Sequence, residues 1–126
     1  MAATILIVED NSRLAEIMAV CLNEAGYETS RAGNSTQGIS KALTEKPDLI
    51  LTDLNLPDMN AIDAITIFKK IPDTSGIPIV VITAESGRQW KTKALTAGAA
   101  EYLLKPISRA DLLKVVRRFC RPIRSR

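Results

Sequence analysis

Two apolar patterns alternate along the chain. Short unbroken runs, in "TILIVED" (4–10), "DLILTD" (48–53) and "IPIVVITA" (77–84), read as strands covered on both faces, because a strand with one wet face would alternate apolar with polar. "YETSRA" (27–32) and "EYLLK" (101–105) are weaker strands of the same kind. Between these runs the apolar spacing changes to three and four. After Asn11 or Ser12 as N-cap, Leu14, Ile17, Met18, Cys21, Leu22 and Ala25 share a helix face that stops at Gly26. Asn34 or Ser35 opens a helix carrying Ile39, Ala42 and Leu43 before Pro47, and residues 61–71 form a third. Residues 85–97 make a fourth with a narrow apolar face, closing at Gly98, and Leu112, Leu113, Val116, Phe119 and Cys120 line a last helix. Five strand–helix units in succession predict a parallel sheet with helices on both faces, since crossovers between parallel strands are right-handed.

Length and composition set the scale of this unit. A chain of 126 residues, 46% hydrophobic and 25% charged, is expected to be one globular domain over 1–126, with 121–126 a basic tail or the start of a linker. No apolar run approaches the roughly 20 residues that span a bilayer, and the first ten residues lack the pattern of a signal peptide, so a cytoplasmic protein is expected. Cys21 and Cys120 sit at apolar positions far apart, which suits buried small hydrophobes rather than a disulfide or metal framework. Histidine is absent. That removes Ser-His-Asp triads and histidine-ligated metals, leaving chemistry to carboxylates, hydroxyls and lysines.

The polar residues at strand ends then acquire meaning. Glu9 and Asp10 follow the first strand, Asp53 ends the third, Thr83 the fourth and Lys105 the fifth. A parallel sheet brings all of these carboxyl ends to one edge, where open α/β sheets bind ligands. Paired carboxylates about 4 Å apart repel by roughly 4 kcal/mol in an effective dielectric near 20, so a cation belongs among them. Mg²⁺ suits such oxygen donors and keeps room for water and phosphate oxygens. Lys105 adds a point charge and Thr83 a hydroxyl, both apt for a phosphoryl group, and an aspartate beside the metal can be the nucleophile.

These residues and their spacings, from about Thr4 to Cys120, resemble the receiver domain of two-component response regulators. The resemblance implies the flavodoxin-like (βα)5 fold, a doubly wound five-stranded sheet of order 2-1-3-4-5 in three α/β/α layers. It implies Asp53 as phosphoacceptor, with Mg²⁺ held by Glu9, Asp10, Asp53 and the Asn55 carbonyl. Thr83 and Tyr102 match the switch pair, and Lys105 with Pro106 matches a lysine followed by a cis peptide bond. Polar groups at Asn55 and Glu85 go, in such receivers, with short-lived phosphorylation. The implied partners are a sensor histidine kinase or histidine phosphotransfer protein, and a downstream protein target or an output domain. The domain would catalyse only its own phosphorylation and dephosphorylation.

One departure is visible after "LPDMN", where the family usually has glycine and this chain has Ala61. A position needing positive φ would be strained by alanine. Duller readings exist for each residue: Glu9 and Asp10 as a solvated strand end, Asp53 as a turn former before Pro57, Tyr102 as strand packing. The alternative function is a metal-dependent aspartyl-phosphate phosphatase of haloacid-dehalogenase type. Those enzymes carry D-x-D on one strand, whereas here the triplet is "DLN", and no cap domain is expected to form a substrate pocket. A flavin or nucleotide binder is disfavoured by the acidic, glycine-free first loop "EDNSRL". The arginines of "RRFCRPIRSR" lack the aromatic or helix-turn-helix context of a nucleic-acid site, so direct nucleic-acid binding is not expected.

Overall fold

The computed structural model describes residues 3–121; apart from Arg121, the basic tail lies outside them. Ten elements alternate: β1 (Thr4–Val8), α1 (Ser12–Glu24), β2 (Glu28–Ala32), α2 (Ser35–Glu45), β3 (Leu49–Thr52), α3 (Ala61–Lys70), β4 (Ile79–Thr83), α4 (Arg88–Ala97), β5 (Glu101–Leu104) and α5 (Arg109–Phe119). All strand pairs are parallel, in the order β2-β1-β3-β4-β5. The flavodoxin-like topology expected from the alternating patterns is therefore the one formed.

The unbroken apolar strands have a simple cause. Successive side chains point to opposite faces, and here both faces are covered. Ile5, Ile7, Leu49, Leu51, Val80 and Ile82 pack against Met18, Cys21 and Leu22 of α1 and Leu112, Val115 and Val116 of α5. Their neighbours Leu6, Val8, Ile50, Ile79 and Val81 pack on the other side against Ala42 of α2, Ile65 and Phe68 of α3, and Ala94 of α4. Close approach of α2 depends on Gly38, where an added Cβ would lie 2.9 Å from Val8 Cγ2.

Helix starts follow side-chain caps where these exist. Asn11, Asn34, Asn60 and Ser108 each accept a backbone N–H from the first turn. In contrast, α4 begins at Arg88, three residues later than the periodicity predicts, on Gly87 with no side-chain cap. Only Ala94 of this helix is buried, so its seat on the sheet is the weakest of the five. Ala61 is the first residue of α3, fully buried, and the sole non-glycine positive φ among the described residues belongs to Lys46. The alanine is thus unstrained.

Three smaller expectations are corrected. Ile17 was expected on the buried face of α1 but is 60% exposed, because Ala15, Met18, Ala19 and Leu22 form the face that meets the sheet. Cys120 lies past the end of α5 in extended backbone instead of on the helix face. Helix α3 stops at Lys70, with Ile71 as its cap. Both cysteines are free, and burial pushes the Cys120 thiol up to about 11.

Candidate functional site at the carboxyl edge of the sheet

The parallel ladder sets where the polar residues emerge. Val8 pairs with Thr52, so Glu9 and Asp53 leave adjacent strands at the same level, and Asp53 N donates to the Val8 carbonyl at 3.0 Å. Both carboxylates are nearly buried, Glu9 at 6% and Asp53 at 8% exposure, whereas Asp10 is exposed. Ligand oxygens of Glu9, Asp10 and Asp53 lie within 4.8 Å of one another.

Lys105 enters from the end of β5. Its N–H donates to the Thr83 carbonyl at 2.8 Å, and the peptide to Pro106 is cis. The ammonium stands 2.7 Å from Glu9 Oε1 and 2.7 Å from Asp53 Oδ2. Each remaining carboxylate oxygen takes a backbone N–H: Asn11 N donates to Glu9 Oε2 and Asn55 N to Asp53 Oδ1, both at 3.2 Å. Burial raises the Glu9 pKa, outweighing the Lys105 and Asn11 hydrogen bonds that lower it. Burial works to lower the Lys105 pKa, but its hydrogen bonds to Asp53 and Glu9 outweigh that and raise it.

Three carboxylates face one ammonium, which leaves the cluster short of positive charge. The donors are hard oxygens, solvent-exposed at Asp10, and this set fits Mg²⁺. Thr83 is fully buried, and its hydroxyl accepts from Glu85 N at 3.3 Å. Tyr102 is also buried, its hydroxyl donating to the Glu85 carbonyl at 2.7 Å. Burial, followed by the negative charges of Glu85 and Asp53, raises the phenol pKa. Asn55 is exposed and Glu85 half-buried, at the rim. The sheet edge thus gathers Glu9, Asp10, Asp53 and Lys105 directly, while Thr83, Glu85 and Tyr102 form a linked set beside them. Sequence reasoning passed over Asp58, which reaches from the β3–α3 loop to the start of α2.

Residues 5–117 match the response regulator receiver domain family. The chain belongs to that family. This membership favours the receiver reading over the haloacid-dehalogenase alternative. Similar curated proteins include the DNA-binding response regulator MtrA of Mycobacterium tuberculosis (strain ATCC 25618 / H37Rv), 36% identical over 93% of this chain and 50% of the relative. The phosphate regulon transcriptional regulatory protein PhoB of Pseudomonas aeruginosa is 39% identical over 87% of this receiver and 48% of its own length. The chain spans about half the length of the curated relatives it matches. Among solved receivers, the chemotaxis response regulator CheY4 of Vibrio cholerae superposes with a TM-score of 0.89 at 27% identity, covering 95% of this chain and 100% of that one. The receiver domain of sensor histidine kinase PA1611 from Pseudomonas aeruginosa gives 0.87 at 28% identity, with coverage of 94% and 98%, and holds a magnesium ion in its active-site cleft. The acidic cluster of the present receiver is consistent with a phospho-aspartate site. No helix among the described residues is long and apolar enough to cross a membrane.

Proposed function

We propose that this receiver is a phosphorylation-activated switch in which Asp53 takes a phosphoryl group from the phosphohistidine of a sensor histidine kinase or histidine phosphotransfer protein. The observation that carries this reading is the Lys105 ammonium, 2.7 Å from both Asp53 and Glu9 inside an acidic cluster. Glu9, Asp10, Asp53 and the Asn55 carbonyl would hold Mg²⁺, which supplies charge neutralisation for the incoming phosphate oxygens. An Asp53 carboxylate oxygen attacks phosphorus, the P–O bond forms, and the P–N bond of the donor breaks. Its electron pair returns to the imidazole nitrogen, which takes up a proton. Lys105 is placed to turn its ammonium from carboxylate to a phosphoryl oxygen, and the Thr83 hydroxyl to donate to another. Positioning and charge do the work, as in phosphoryl transfer generally.

Transmission would follow from the second set of contacts. Drawing the Thr83 hydroxyl toward phosphate changes its bond to Glu85 N, and the Tyr102 hydroxyl holds the carbonyl of that same residue. Because the ring already lies in the interior, movement of the 84–87 segment, not entry of the ring, is what the pair can pass to α4. The loosely seated α4 carries Trp90 as a reporter. Beryllofluoride with Mg²⁺ is expected to change Trp90 fluorescence and shift amides across residues 84–102. Unchanged spectra on both counts would remove the switching model. A downstream protein or an output domain is the proposed recipient of that change.

The same reading makes the signal transient. Asn55 and Glu85 place an amide and a carboxylate at the rim, where either can orient an attacking water. Asn55→Met or Glu85→Leu should lengthen the phosphorylated lifetime several-fold, roughly 1 kcal/mol on the hydrolysis barrier for each group. Decay at the wild-type rate in both variants would show that water is limited elsewhere.

A further inference from the structure

Asp58 takes no part in the acidic cluster, and its side chain is exposed. Yet its carboxylate is fully engaged. Oδ1 accepts from Ser35 N at 2.9 Å, while Oδ2 accepts from Thr36 N at 2.8 Å and from the Thr36 hydroxyl at 2.6 Å. A fourth bond runs beside these three, from the Ser35 hydroxyl to the Met59 carbonyl at 3.2 Å. The loop between β3 and α3 is therefore tied to the first turn of α2, 22 residues earlier in the chain.

The other end of that tie is closely packed. Helix α2 lies against β1 through Gly38, which leaves no room for a Cβ beside Val8, and Val8 immediately precedes Glu9. At the near end the loop is closed on itself: Leu54 is buried, Ala61 N donates to the Leu54 carbonyl at 3.1 Å, and Asn55 N donates to Asp53 Oδ1. A continuous path thus runs from Glu9 through Val8, Gly38 and the start of α2 to Asp58, and back along the loop to Asn55 and Asp53. The hydrogen bond from the Thr36 hydroxyl, before those from the two backbone N–H groups, holds the Asp58 carboxyl down at about 2, so the tie stays ionised through the ordinary pH range.

We infer that Asp58 is a positioning residue for metal binding: its carboxylate staples the loop bearing Asn55 at a fixed distance from the end of β1 that bears Glu9. This rests on the reading of the acidic cluster as a Mg²⁺ site. Groups outside the coordination sphere that orient ligands commonly contribute about 10- to 100-fold in metal affinity, and a staple acting through backbone belongs at the lower limit.

The test combines two readouts on the full chain. Hydrogen exchange at the Ser35 and Thr36 amides reports the staple itself, and Mg²⁺ titration followed by amide shifts reports its effect on the site. Asp58→Ala is expected to expose both amides and to weaken Mg²⁺ by about tenfold. Asp58→Asn, which keeps one accepting oxygen, and Thr36→Val, which removes only the hydroxyl bond, should fall between that variant and wild type. Thr74→Val is the control for general destabilisation. It cuts a buried bond to the Phe68 carbonyl at the end of α3, away from the site. Its Mg²⁺ affinity should stay within about twofold of wild type. The inference is overturned if Asp58→Ala loses amide protection but binds Mg²⁺ as wild type does, or if Thr74→Val weakens Mg²⁺ as much as Asp58→Ala. Wild-type protein that shows no Mg²⁺ response at Glu9 and Asp53 would instead overturn the metal-site reading, and this inference with it.

Discussion

Asp53→Asn is expected to abolish covalent labelling by a small phosphodonor such as acetyl phosphate, with the circular dichroism spectrum unchanged. The amide nitrogen and oxygen cannot replace a carboxylate as nucleophile, and a loss of more than about 100-fold corresponds to at least 2.7 kcal/mol on the barrier. The fold should survive because the substitution keeps the shape of the side chain. The amide oxygen still accepts from Asn55 N, and one negative charge leaves a site crowded with three. Lys105 retains Glu9 as partner. Mass spectrometry should find one phosphoryl group on wild type and none on the variant. Labelling of the variant at the wild-type rate and stoichiometry would mean that the phosphoacceptor is another residue.

The second large effect is on stability. Lys105→Met would leave the Glu9 and Asp53 carboxylates side by side at the edge of the core without their ammonium. Removing one member of a fully buried pair costs about 3–5 kcal/mol; Lys105 keeps 20% side-chain exposure, which puts the expected loss nearer 2–3 kcal/mol. Millimolar Mg²⁺ should recover part of it by binding the folded state alone.

The pH dependence has a definite sign at each end. The folded-state pKa of Lys105 lies above its ordinary 10.5, so its contribution is full below pH 10.5 and is lost as pH rises through the folded value. Glu9 is also raised, from 4.5, so the folded protein holds that proton more tightly and stability declines as pH climbs through the folded value. Loss of the ammonium removes a lowering influence on Glu9 and steepens this decline in the variant. Urea unfolding should therefore show the gap between wild type and Lys105→Met widest near neutrality, narrowing toward pH 4 and again above 10.5. A gap independent of pH would assign the loss to packing of the lysine stem.

What could be read from the sequence follows from which interactions leave a trace in residue type. Strands covered on both faces must be apolar at every position, so β1, β3 and β4 were visible as runs, and topology then brings Glu9, Asp53 and Lys105 to one edge. The Asp58 staple left no such trace, since two of its partners are backbone N–H groups of Ser35 and Thr36, which any residue but proline supplies. The start of α4 lies three residues beyond the expected Glu85 because Gly87 caps the helix without a side chain, so no capping residue marks the boundary in the sequence. Lys46 adopts a left-handed conformation at the end of α2 although no glycine marks it; Pro47 follows and prevents the helix from continuing. Ile17 satisfies the helical spacing equally well on the dry face or at its margin, and periodicity alone does not distinguish the two.

The bond between Tyr102 and Glu85 has a consequence for how such a domain can diverge. The phenol takes the main-chain carbonyl of residue 85, not its carboxylate, and Thr83 likewise takes the main-chain N–H. The proposed coupling to α4 is therefore indifferent to the side chain at position 85, while the proposed duration of the signal depends on that side chain together with Asn55. Drift at this one codon would retune the clock and leave the lever intact, so descendants of a single ancestral domain could keep the same output surface while serving stimuli of very different tempo.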